Sequence, residues 1–208
     1  MKKIYFAYLF LLTAIVISSC VSSCVSSLYP ISDNECDFIY REEILDHWAN
    51  KDMVTQVILH KADHKKYKVT VIDKKTSEAG GNKVSFYDTS YFSGFLIQLN
   101  NRYYFDGTPD TDHPQFRSLG EETRTALLPI HFIFNIQIID NNRLSVAGMD
   151  IDVMKKYMED NSNRVKHEKP GKDHIMLTAD ATTLQKNILT GKTAAFIFND
   201  PDTLTRKN

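Results

Sequence analysis

The 208-residue sequence has no excess of basic residues, no long apolar run and few cysteines, and each shortage excludes something. Against 25 Lys and Arg stand 26 Asp and Glu, a net charge of −1. The clustered positive charge that grips phosphates is therefore missing, and nucleic acid is not an expected partner. The sequence lacks a Gly-x-Ser-x-Gly elbow, a phosphate-binding glycine loop, a His-Glu-x-x-His helix and a paired Cys-x-x-Cys. Without the usual enzyme signatures, neither an activity nor a cofactor is expected. The apolar run 4–17 falls short of the roughly 20 residues a membrane-spanning helix needs. What is present is a hydrophobic fraction of 42% that includes 12 Phe and 10 Tyr, ample for a packed core and contrary to disorder.

Lys2 and Lys3, the run 4–17, and Ser18-Ser19 directly before Cys20 have the layout of a secretory signal. The terminal cysteine makes the segment resemble a bacterial lipoprotein signal. That resemblance implies lipidation of Cys20 and cleavage before it, giving a signal peptide 1–19, a Ser-rich tether 20–36 and a single β-rich domain 37–208. Val21-Ser22-Ser23-Cys24 repeats the local pattern, but only Cys20 abuts the apolar run. The implied location is the bacterial cell envelope, with the anchor in the outer membrane facing the periplasm, because Val21-Ser22 lacks the Asp that retains some lipoproteins elsewhere. In that oxidising compartment Cys24 and Cys36 either pair or stay as free thiols.

Ser27-Leu28-Tyr29-Pro30 and Ile44-Leu45-x-x-Trp48 are followed, in order, by Tyr104-Phe105-Asp106, Leu128-Pro129-x-His131, His167-Glu168 and Leu177-Thr178-Ala179. This series resembles a Bacteroidetes-type group of uncharacterised lipoproteins that open with Ser-Leu-Tyr-Pro and continue with a Leu-Leu-Gly-x-Trp strand. The chain departs from the group at Asp46, where Gly is usual, and over 132–136, where a more aromatic strand is usual. The resemblance implies an envelope location and an architecture, and no mechanism.

The rest reads as strands. Val69 and Val71 alternate with Lys68 and Thr70, the period of a strand with one buried face. Strands are expected at 54–60, 67–73, 83–87 and 91–99, with Gly94 as a bulge or bend in the last. Asn100-Asn101 marks a hairpin between 96–99 and 102–105, because Asn tolerates the positive φ that a two-residue turn requires. Asn141-Asn142 is read as the same turn chemistry between 130–140 and 143–147. Residues 107–126 form a long polar connection, a candidate lid or rim loop. Asp150 is expected to cap a helix with Met154 and Met158 on its buried side, and Asp180 another over 181–190, stopped by Gly191. Residues 161–173 read as a solvated loop, and 174–178 and 193–198 as the last strands. The fold class is mainly β: an antiparallel barrel, lipocalin-like through Trp48 in its first strand, or a β-sandwich, with two short helices near the C-terminus.

Candidate site residues are few. His60-x-x-Asp63-His64 has the residue types of a metal site but sits on a hairpin turn among lysines. Asp110-x-Asp112-His113 offers alternating oxygens without the Gly and Glu of a calcium loop. No metal is expected at either. In the strand after Ile130, Phe132, Phe134, Ile136 and Ile138 share one face, and His131, Asn135 and Gln137 the other. If that second face lined a barrel, His131, Asn135 and Gln137, with Trp48, would orient a ligand held otherwise by apolar groups. Phe95, Ile97 and Tyr103 are expected to line such a cavity. His167-Glu168 meeting His131 in space would be a metal or acid–base candidate. The expected function is a lipid-anchored binding module for a small apolar ligand. Its rival is an interaction module whose partner is another envelope protein.

Overall fold

The computed structural model describes residues 24–63, 65–79, 82–119, 130–161, 164–171, 173–198 and 200–207. The signal 1–19, Cys20, His64, Gly80-Gly81 and residues 120–129 lie outside the described residues. In chain order the strands are β1 (Cys24–Ser27), β2 (Phe38–Ile39), β3 (Asp46–Ala49), β4 (Thr55–Lys61), β5 (Lys66–Ala79), β6 (Asn82–Leu99) and β7 (Arg102–Pro109). After helix α1 (Pro114–Arg117) come β8 (Phe132–Asp140), β9 (Arg143–Ala147), helix α2 (Ile151–Asn161), β10 (His167–Gly171) and β11 (His174–Leu177). Helix α3 (Ala181–Leu184) runs on as a π-turn (Gln185–Leu189), followed by α4 (Gly191–Ile197) and β12 (Asp202–Arg206).

Strands β3 to β9 and then β12 pair antiparallel in sequence order, and β12 returns to β3. Eight strands thus close into an up-and-down barrel, the order lipocalin-like barrels use, and closure removes the free edges an open sheet would expose. The sandwich alternative is excluded. Alternation sets the faces: Val57, Leu59, Val69, Phe105, Ile136 and Leu204 belong to the interior core. Ile97, Tyr104 and Ile133 point outward into a second core shared with Met154, Met158 and Ile188.

That second core is capped by a small sheet, β1-β11-β10, in which β1 runs parallel to β11, and by α2–α4. The segment read as a tether is therefore part of the folded body from Cys24 onward: Val25 and Ile31 are buried. Cys24 and Cys36 are both free thiols.

Connections β3–β4, β5–β6, β7–β8 and β9–β12 share one end of the barrel; the short hairpins β4–β5, β6–β7 and β8–β9 share the other. At the second end a 3₁₀ turn, Glu42–Ile44, buries Ile44 under Trp48 and Tyr67. This end is sealed. We call the first the open end.

Several elements differ from expectation. The strands expected at 83–87 and 91–99 are one strand, β6, because Asp88 continues the ladder opposite Asp73. Gly94 makes no bulge; its register with Tyr67 and Gly107 is unbroken. A Cβ there would lie 2.2 Å from the Asp106 carbonyl oxygen and 2.7 Å from the Phe105 ring, so glycine serves close approach. Asn100 and Asn101 do adopt positive φ, 49° and 63°. The Asn141-Asn142 turn does not share that chemistry: neither residue has positive φ, and β8 accommodates the turn with a bulge between Ile138 and Asp140. Residues 107–109 belong to β7, and 167–171 form a strand within the expected loop. Asp150 and Asp180 cap as expected, but 193–198 fall largely in helix α4, Gly191 starts that helix, and the last strand is β12.

Candidate functional site in the barrel interior

Inward-facing side chains leave a cavity of about 230 Å³ inside the barrel, walled by Val57, Leu59, Val71, Phe92, Phe134 and Val146 among others. Its walls run out to Thr55, Gly107, Gly148 and Asp202, which lie where β4, β7, β9 and β12 meet the open end. Its lining combines valines on β4, β5 and β9 with the rings of Phe92, Phe105 and Phe134. The Phe105 ring covers Gly94 and Gly107; a Cβ at Gly107 would sit 2.8 Å from it.

The polar groups near the floor are paired with one exception among the described residues, the buried Arg206 Nε. Trp48 Nε1 donates to the Ile44 carbonyl at 2.8 Å, and the Arg41 amide donates to the Tyr67 hydroxyl at 2.7 Å. The Arg41 guanidinium holds the Tyr103 hydroxyl. Burial pushes the Tyr67 hydroxyl up to about 12, so it stays neutral in use. On the inward face shared with Leu204 and Trp48, the Arg206 guanidinium lies 4.8 Å over the Trp48 ring at the sealed end, reaches the Glu43 carbonyl at 2.8 Å and pairs with Asp46 at 3.3 Å. The cavity wall above it is apolar, with Asp202 its one charged residue, at the rim. Polarity begins at the rim, where Thr55 Oγ1 donates to Asp73 at 2.8 Å and Lys75 pairs with Asp88 at 2.6 Å.

The structure places the expected site residues elsewhere. Trp48 is fully buried beneath the cavity as part of its seal. His131, Asn135 and Gln137 do not line the interior: the apolar face with Phe134 and Ile136 does. The three are on the outer wall. Asn135 Nδ2 donates to the Tyr103 carbonyl at 3.1 Å, and with Gln137 it borders a shallow polar groove beside α4. Phe95 and Ile97 also face outward, while Tyr103 faces in but is engaged at the sealed end.

His131 is a structural joint. Its Nδ1 lies 2.7 Å from Asp106 Oδ1, and the buried Asp106 accepts the Ile31 amide at 2.8 Å through Oδ2. Its backbone exchanges two 2.8 Å bonds with Ser27, and the Leu28 amide donates to Leu177 at 2.8 Å. Stretches around Ser27, Asp106, His131 and Leu177 thus converge where the small sheet meets the barrel. His167 does not reach His131: Ser27 and Leu177 occupy the row between them, three strand spacings or about 14 Å.

Asp110 accepts Lys68 Nζ at 2.6 Å and the Asp112 amide, and His113 stacks on Tyr91. His60 is exposed. Among the described residues no three His, Cys, Asp or Glu side chains are grouped to hold a metal. The cavity-lining residues on β4, β5 and β9 carried a signal in the sequence, strict alternation; which alternate set faced inward did not show. Compared with protein-family models, with curated proteins and with solved structures, the chain finds no match, and the functional reading rests on this geometry.

Proposed function

We propose that this protein is a lipid-anchored binding module of the bacterial envelope, tethered through Cys20 and holding a small apolar ligand in its barrel. One observation carries the binding reading: a cavity of about 230 Å³ that reaches the open end and is walled by apolar side chains, with Asp202 at the rim its one charged residue. Such a space gains free energy by taking up hydrocarbon, at about 25 cal/mol per Å² removed from water, and has nothing to offer a charged guest. The lipid-anchor reading is supported by the Ser18-Ser19-Cys20 pattern after the apolar run.

Native mass spectrometry of the full-length protein, extracted gently from membranes, tests both parts. The expected spectrum shows an N-terminal mass beginning at an acylated Cys20 and a non-covalent adduct of a few hundred daltons that is lost on denaturation. An unmodified N-terminus sinks the anchor. A clean apo mass that stays apo after incubation with a long-chain fatty alcohol sinks the ligand.

A further inference from the structure

Past the barrel rim, β5 and β6 continue as a two-stranded ribbon. The last β4 pairing is Thr55 with Asp73, and the last β7 pairing is Pro109 with Phe92. Beyond these, among the described residues, 75–79 pair only with 82–86, and 87–90 pair only with 71–74. An isolated hairpin of this kind is marginally stable in water, and this one exposes apolar groups rather than burying them. Val84 is 50% exposed, Phe86 47% and Tyr87 63%, and Val54 at the ribbon's foot is 42% exposed. Leu119, after α1 at the same end, is 38% exposed. Five of the eight large exposed hydrophobic side chains among the described residues are thus at the open end, while Phe196 on α4 and Ile139 lie elsewhere.

Register adds a direction. Phe86 opposite Lys75 and Val84 opposite Ser77 lie on the face that, further down the same strands, is the cavity wall at Val71 and Phe92. Beside the rim formed by Asp73, Asp88 and Thr55, apolar and cationic side chains alternate: Phe86 and Tyr87 stand opposite Lys75 and Lys74, and Val84 lies next to the exposed Lys83. Apolar side chains interleaved with lysines suit the acyl-to-headgroup boundary of a bilayer, where the lysines reach headgroup phosphates.

We propose that the open end docks on a phospholipid bilayer, with Val84, Phe86 and Tyr87 entering the interfacial zone so that the cavity mouth opens onto lipid. This extends the ligand reading and rests on it: an apolar guest then passes between bilayer and barrel without crossing water.

The test uses full-length protein with Phe86→Trp, and separately Tyr87→Trp, bound to phosphatidylethanolamine/phosphatidylglycerol vesicles carrying brominated acyl chains. The unsubstituted protein, whose one tryptophan is Trp48, is measured on the same vesicles and its emission subtracted, so that quenching of Trp48 by a guest in the barrel is not counted. The reference is Ile139→Trp, exposed near the sealed end. The expected result is at least about a twofold loss of the added emission at 86 or 87 and little at 139, consistent with burial of a few ångströms past the headgroups. Equal quenching at both ends, or none at 86 and 87, overturns the docking, as does cross-linking of the tip to an envelope protein in place of lipid. Native mass spectra of the same samples separate the two ideas: a retained adduct with an unquenched tip leaves the ligand reading standing and removes only this one.

Discussion

At the scale of single residues, two contacts carry consequences out of proportion to their size. Gly94→Ala would put a methyl group 2.2 Å from a backbone oxygen that the β6–β7 ladder holds in place. The expected cost is on the order of 3 kcal/mol, read as a shift of the urea midpoint. Asp106→Ala would strand the Ile31 amide and the His131 imidazole inside the second core. A buried donor left without its acceptor costs about 1–3 kcal/mol, and hydrogen exchange should show residues 24–32 opening well before the barrel. Tyr67 sets an alkaline limit. Because its folded value lies above the ordinary 10, at about 12, its contribution is intact below pH 10 and is lost as pH rises through 12. Absorbance titration should show Tyr67, with Tyr104 and Tyr157, which burial also raises, as a late group coinciding with unfolding.

Among the elements, the two Asn-Asn hairpins are a natural contrast. Asn101→Ala keeps the β-carbon in the left-handed region but removes the short polar side chain that lets Asn adopt it, and should cost about 1 kcal/mol. Asn141→Ala, on a turn with ordinary φ whose Asp140 ion-pairs with Arg143, should stay within about 0.5 kcal/mol. Thermal melts of the pair decide it. The β1–β11 pairing carries an acid limit. Burial lowers His174 below the ordinary 6.5, and its Nε2 lies 2.8 Å from Ser26 Oγ. Its contribution is present above pH 6.5 and is lost as pH falls below that value. Proteolysis in the segment 24–32 should therefore rise on acidification while the barrel persists, and His174→Gln should flatten that dependence. These elements also show what the sequence could tell. Asn100-Asn101, the Asp150 and Asp180 caps and the alternation at Val69 and Val71 are local physics and were legible. Residues 193–198 read as a strand because Ala, Phe and Ile fit either element, and contacts of Ile197 and Phe198 in the second core decide for helix. Only Leu204 is buried in β12, so that strand left no pattern to read. His131, Asn135 and Gln137 were placed on the correct common face, but alternation names two faces and not the inward one. Here even the outer face is partly buried, by a layer contributed from residues 24–27 and 151–198.

For the molecule as a whole, the cavity is the feature open to direct manipulation. Val57→Phe or Val71→Phe should fill it, removing the adduct while changing stability by no more than about 1–3 kcal/mol. Calorimetric titration with a long-chain fatty alcohol would then give no heat where wild type gives a saturable one. Retained binding would move the ligand to another surface.

The strand pairings also constrain the order in which the molecule can be made. β1 pairs with residues 174–177, and the barrel closes only when β12, residues 202–206, meets β3, residues 46–49. Both joins bridge most of the chain, so their loop-closure entropy must be met before their contacts form, and folding is slow. A chain made from its N-terminus therefore holds residues 24–27 as a strand without its partner until residues 174–177 have followed, so the first strand of the molecule is among the last to be paired.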